Sequence, residues 1–193
     1  VPGGVFSVLP GGTEAGAALA SHKGIAKVTL IGSVGAGQAV MRSASATVKP
    51  VLLELGGKNA LIAYPDSDPA KVADAIVAGM NFGWCGQSCG STSRAFLHDD
   101  LHDSVVDRLA NAVARYCPGP PTDPATTMGA LVSREHFDRV MSYIDSGKAE
   151  GARIVAGGHA LTDGDMAKGN FIAPTIFADV TPGMRIAREE IFG

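Results

Sequence analysis

Cys89 lies in the run Gly86-Gln87-Ser88-Cys89-Gly90-Ser91, and Glu54 ends the run Val51-Leu52-Leu53-Glu54. These two side chains are the best placed in the sequence for covalent and proton-transfer chemistry. A thiol in a Gly/Ser-rich bend just past a helix is accessible, and nearby backbone N–H groups favour its thiolate. The same residue also fits the commoner role of a small apolar filler. A carboxylate at the tip of an apolar strand is costly unless it is paired or used, and desolvation would move its pKa toward that of a general base. A salt bridge to Lys58, or exposure at the strand end, accounts for Glu54 equally well. A third candidate is Gly32-Ser33-Val34-Gly35-Ala36-Gly37, which follows a strand and opens a helix. Free N–H groups and the positive helix end suit such a junction to phosphate. A glycine-rich turn that binds nothing has the same look, and the spacing departs from G-x-G-x-x-G.

Other reactive residues carry less. Cys85 and Cys89 stand four apart, but no second Cys/His pair completes a zinc site, and Cys117 precedes a proline loop. The five histidines are scattered. Glu189-Glu190 and Phe192, read alone, are an acidic solvated end and a core aromatic.

These residues sit in a chain of 193 residues, 46% hydrophobic and 18% charged, with a formal net charge of −3. No basic surplus is available to neutralise nucleic-acid phosphates or an anionic membrane surface. The apolar content is too high for a disordered chain, and no apolar run reaches the roughly 18 residues of a membrane span. Three cysteines do not make a disulfide scaffold, which points to a reducing, cytoplasmic compartment. The opening Val1-Pro2-Gly3-Gly4 and the closing Glu190-Ile191-Phe192-Gly193 predict an interior piece of a longer protein.

The elements that must position the candidates alternate. The pattern predicts strands at Val5–Leu9, Ala26–Ile31 and Lys49–Leu55. Helices fall between them, one capped by Thr13 and running to about His22, one from Ser33 to about Ala46. Further on come a strand at Ala60–Tyr64 and a helix capped by Ser67 or Asp68 with Pro69 in its first turn. A strand at Arg94–His98 and helices near 103–117 and 133–146 follow. Strands at Arg153–Ala156 and 171–177 close the pattern. Strand–helix–strand units of this kind predict an α/β fold with parallel, doubly wound sheets. A domain boundary is expected near Leu55 to Lys58.

In order and spacing, five segments resemble the NAD(P)-dependent aldehyde dehydrogenase superfamily. They are Gly32-Ser33-x-x-x-Gly37, Glu54-Leu55-Gly56-Gly57-Lys58, Gly86-Gln87-Ser88-Cys89 with Arg94, Gly169-Asn170-Phe171 with Pro174-Thr175, and Glu190-Ile191-Phe192-Gly193. The resemblance implies that residues 1–54 are the last part of a dinucleotide-binding domain. Residues 55–193 would be a catalytic thiol domain, incomplete at its C-terminal end. It implies NAD or NADP as cofactor, a small-molecule aldehyde as substrate, and a homo-oligomeric whole protein. In the family, the cysteine matching Cys89 attacks the aldehyde carbon. The oxyanion is held by that cysteine's N–H and an asparagine side chain, hydride leaves for the nicotinamide, and the carboxylate matching Glu54 activates water against the thioester. Ser33 would meet the pyrophosphate, with Gly32 and Gly37 shaping the turn. Gly12 would border the adenine pocket, and Leu55 and Gly56 would offer backbone to the carboxamide. Glu190 would bind the nicotinamide ribose, and Phe192 would pack near the ring. His136 and Arg139 fall where the family often has ribose-contacting residues. Trp84 departs from the family's usual asparagine, Leu30-Ile31 from Phe-Thr, and Ala130 from proline. The family's upstream half, with its oxyanion asparagine, has no counterpart in these residues. Two other classes fit some of the same residues: a non-catalytic structural member of the fold, and a cysteine-dependent hydrolase.

Overall fold

A computed structural model describes residues Val1–Gly193, which divide into two compact units, Val1–Gly56 and Gly57–Gly193. The first unit holds α1 (Thr13–Ser21), β1 (Val28–Gly32), α2 (Val34–Ser45) and β2 (Val51–Leu55). β1 and β2 pair in parallel, with Ile31 opposite Glu54 and Gly32 opposite Leu55. Ser33 caps α2 by accepting the Ala36 N–H at 3.2 Å, which ends the strand and starts the helix within one residue. Gly37 then lies against the sheet. A β-carbon there would stand 3.0 Å from a Leu55 methyl, so the missing side chain sets how closely α2 packs on β2. Buried Lys49 donates to the carbonyls of Ala20 at 3.0 Å and His22 at 2.6 Å. It thereby satisfies the end of α1, where carbonyls lack partners and the helix dipole favours a cation.

The second unit contains β3 (Ala60–Ala63), α3 (Pro69–Gly79), β4 (Arg94–Leu97), α4 (Asp99–Val113), α5 (Arg134–Ala149), β5 (Arg153–Ala156), β6 (Ile176–Ala178) and α6 (Arg185–Arg188). β3 and β4 are parallel, Ala60 facing Arg94 and Ala63 facing Leu97. Asp68 caps α3 by accepting the Ala70 and Lys71 N–H groups. Val72, Ala73 and Val77 of α3 share one core with Val105, Leu109 and Val113 of α4, and Val77 and Val105 are the most completely buried large side chains. The spacing of these residues is the helical stripe expected for two helices facing one another.

Several elements differ from their sequence-based expectation. Residues 5–9 form no strand and lie exposed, because no other strand of the chain runs beside them to take their hydrogen bonds. Thr13 is the first residue inside α1, and Gly12 occupies the cap position without a side-chain bond. The expected helix at 103–117 begins at Asp99. The His98 ring accepts the Asp100 N–H at 3.3 Å, and Asp99 and Asp100 complement the positive end of the helix. The strand expected over 171–177 shrinks to Ile176–Ala178, since Pro174 has no N–H to give a ladder. β6 also pairs with β5 antiparallel, so parallel pairing holds for two of the three strand pairs.

Candidate active site

The thiol segment is built from a tight reversal after α3. Phe82–Trp84 make a single 3₁₀ turn flanked by Asn81 and Cys85 at φ of 59° and 57°, and Gly86 follows at 68°. Gly86 is required twice over: its φ is left-handed, and a β-carbon would come within 2.7 Å of the Gly193 carbonyl carbon. The two cysteines of this bend separate by environment. Cys85 is buried, its thiol donates to the Gly129 carbonyl at 3.1 Å, and burial pushes that thiol's pKa up. Cys89 is exposed. The Asn59 amide donates to the Cys89 carbonyl at 2.6 Å, while the Cys89 N–H donates to no protein acceptor. The bend thus leaves Cys89 exposed with its own backbone N–H unbonded. Gln87 secures the other side by accepting the Val132 N–H at 3.1 Å.

The segment 57–59 links this bend to the end of the chain. Gly57 donates its N–H to the Glu190 carboxylate at 3.2 Å, and the Arg94 guanidinium donates to the Lys58 carbonyl. Desolvation, with the Arg94 cation beside it, lowers the Lys58 pKa to about 8, and Glu190 offsets part of this. A shift from 10.5 to about 8 at about 1.4 kcal/mol per unit sets an upper bound on the cost of burying the ammonium. Screening at a partly exposed group reduces that to about 1–2 kcal/mol. Below pH 8 Lys58 is protonated in folded and unfolded chains alike and the cost is present in full. Between about 8 and 10.5 the folded chain has released a proton that the unfolded chain retains, so stability rises with pH. Lys58→Met is therefore expected to raise the denaturation midpoint of the whole protein at pH 7, with the gain shrinking by pH 10. Equal gains at both pH values would contradict this account.

The closing segment is held by α5 and α6. The Tyr143 hydroxyl donates to the Glu189 carboxylate at 2.8 Å and the Arg185 guanidinium at 3.0 Å, and these bonds hold Glu189 below the usual carboxylate range. Phe192 is half-exposed at φ 65°, and Glu190 is partly buried.

The remaining candidates stand in the first unit. Glu54 is the fourth residue of β2, exposed, on the face opposite Leu53 and Leu55. Leu55 ends the strand against Gly37, and Gly56 follows it half-buried. Gly12 is exposed before α1. Gly32 ends β1, and the Val34 and Gly35 N–H groups at the start of α2 have no protein acceptor. The junction leaves two N–H donors free at a helix N-terminus, the arrangement that phosphate binding would need. Gly37 serves the packing of α2 on β2, one turn below the junction.

A cavity of about 520 Å³ lies in the second unit, lined by β4, the stretch Ala173–Pro182, Lys58, Ser88 and Phe192. Cys89 does not line it, but its neighbours Gly86, Ser88 and Ser91 do. Asn59 was not apparent as a site residue from sequence, because its value lies in one bond to a carbonyl thirty positions away. No helix is long and apolar enough to cross a membrane.

A parallel α/β framework carrying an exposed thiol on a glycine-built bend defines a class, and the chain belongs to it: the aldehyde dehydrogenase family, whose model matches residues 1–193. The chain is 55% identical over 196 residues to aldehyde dehydrogenase tropH of Talaromyces stipitatus, covering all of this chain and 38% of that protein. Among solved structures it resembles betaine aldehyde dehydrogenase from Staphylococcus aureus in complex with NAD+ (TM-score 0.89, 34% identity, 96% of this chain and 37% of that one). It also resembles aldehyde dehydrogenase C of Pseudomonas syringae, a cysteine-to-alanine variant complexed with NAD+ and octanal (TM-score 0.87, 35% identity, 92% and 36% of the two chains). The chain thus spans well under half the length of these relatives.

Proposed function

We propose that the whole protein oxidises an aldehyde to a carboxylic acid with NAD+ or NADP+ as hydride acceptor, through a covalent intermediate on Cys89. The observation that carries this reading is the exposed Cys89 sulfur beside its own unbonded N–H, in a chain of this family. The dinucleotide, when bound, supplies the acceptor for hydride. Ser33, Gly32 and the free N–H groups opening α2 hold its pyrophosphate. Gly12, Leu55 and Gly56 contribute backbone around it, with Gly37 supporting the turn from beneath. Glu190 binds ribose hydroxyls through its carboxylate, and Phe192 packs at the ring.

Cys89 attacks the carbonyl carbon as a thiolate, which makes a C–S bond and moves charge onto the carbonyl oxygen. The Cys89 N–H receives that charge, together with an asparagine that the family supplies from outside these residues. Departure of hydride from the same carbon leaves a thioester. Glu54 takes a proton from water as the water attacks this thioester, releasing the acid and restoring the thiolate. The carbonyl carbon stays fixed to the protein from attack to hydrolysis, so no reactive species diffuses away. The complexes of the two solved relatives with NAD+, one of them also with octanal, support the choice of cofactor and substrate class.

A polypeptide of these 193 residues alone is expected to turn over little, since they span 38% of the Talaromyces stipitatus relative. The whole protein is expected to assemble as a homo-oligomer, as the family resemblance implies. The test is aldehyde-dependent formation of reduced NAD or NADP, followed by absorbance across aliphatic and aromatic aldehydes. Ester hydrolysis with no hydride transfer to either cofactor would favour a cysteine-dependent hydrolase and overturn the reading.

A further inference from the structure

Side chains of α5 bond the main chain of the segment Glu190–Gly193. Phe192 holds φ 65°, a left-handed conformation that a residue with a β-carbon keeps only when its surroundings impose it. Two side chains of α5 supply the imposition. The Arg139 guanidinium donates to the Glu190 carbonyl at 3.1 Å, and His136 Nε2 donates to the Phe192 carbonyl at 2.6 Å. The His136 ring also meets the Phe192 ring edge-on, with centroids 6.1 Å apart. His136, Arg139 and Tyr143 stand at i, i+3 and i+7, which puts all three on one stripe of the helix. Tyr143 continues the stripe by holding Glu189.

We propose that His136 and Arg139 are positioning residues, which clamp the carbonyls of Glu190 and Phe192 to α5 and so fix the angle at which both side chains meet the nicotinamide half of the cofactor. The proposal rests on the reading that Glu190 and Phe192 bind that cofactor. It gives the two α5 residues work through the protein main chain. The bonds are spent in the free protein. Their effect is to spare bound cofactor the cost of ordering the segment, Phe192 above all.

The experiment uses the whole protein and three variants. His136→Phe keeps a ring against Phe192 but has no N–H, Arg139→Met keeps the stem without the donor, and His136→Gln restores a donor. The first two are expected to raise the KM for the dinucleotide roughly five- to tenfold, the range one lost hydrogen bond supplies, with no matching fall in kcat. His136→Gln should return it to within about twofold of the parent. Independently of any activity, amide hydrogen exchange of the segment after Glu189 should quicken in His136→Phe and Arg139→Met and recover in His136→Gln. Unchanged exchange in both loss variants would overturn the clamp whatever the kinetics show. If exchange quickens but Glu190→Gln leaves dinucleotide KM unchanged, the clamp stands as a feature of the fold and the cofactor reading of Glu190 fails. If Glu190→Gln raises KM while His136→Phe and Arg139→Met do not, the cofactor reading stands and the positioning role is wrong.

Discussion

Replacing Cys89 with alanine is expected to abolish aldehyde-dependent reduction of the dinucleotide, with a loss of roughly 10⁴-fold or more in kcat/KM. The size follows from what the sulfur does. In the proposed mechanism it forms the bond that holds the carbonyl carbon, and no neighbour can take over, because Cys85 is buried in a bond to Gly129 and Cys117 belongs to another loop. Dinucleotide affinity, read by quenching of protein fluorescence, should change little, since none of the proposed cofactor contacts uses the thiol. Cys85→Ala provides the contrast. It removes a buried sulfur that fills space, and should lower the thermal midpoint by a few degrees while leaving the chemistry in place. A Cys89→Ala protein that still reduced NAD at near the parent rate would eliminate the covalent mechanism. A Cys85→Ala protein as inactive as Cys89→Ala would mean that the wrong sulfur has been assigned.

That contrast between two cysteines four residues apart marks the limit of what sequence can carry. Period and capping residues located both parallel strand pairs and most helices. Ser33, Asp68 and Ser133 each accept a backbone N–H at the helix starts where their types and neighbours place them. Local chemistry misled where the partner was distant. The apolar run at 5–9 has strand composition but no strand beside it, and a ladder cannot be read from one side. The exposure of Cys89 was legible because a Gly/Ser bend exposes whatever it carries. That Cys85 is buried became visible only with Gly129 against it, forty-four positions away. Asn59, His136 and Arg139 act on carbonyls belonging to other segments. A carbonyl is present in every residue and leaves no mark in the sequence, so such bonds are findable only once the fold has brought the segments together.

Glu54→Gln is the sharper test of the second half of the reaction, because it should divide the two chemical steps. The amide is close in shape to the carboxylate but cannot accept a proton from water. Attack by Cys89 and loss of hydride do not call on Glu54. Mixing the variant with aldehyde and dinucleotide is therefore expected to give a rapid burst of reduced cofactor approaching one equivalent per active site, followed by a steady rate lowered roughly 10²- to 10⁴-fold, the usual contribution of a general base. The thioester left on Cys89 should accumulate and appear in intact mass as an acyl adduct, in proportion to the burst. β2 gives the carboxylate a firm mount: Glu54 is paired in register with Ile31, on an exposed face, so the substitution disturbs no packed side chain and stability should stay within about 0.5 kcal/mol of the parent. Three results discriminate. A full burst with slow turnover assigns deacylation to Glu54. Loss of the burst as well would place Glu54 earlier, as the base that takes the Cys89 thiol proton. An unaltered steady rate would remove it from the mechanism and leave it a solvent-facing side chain near the end of β2.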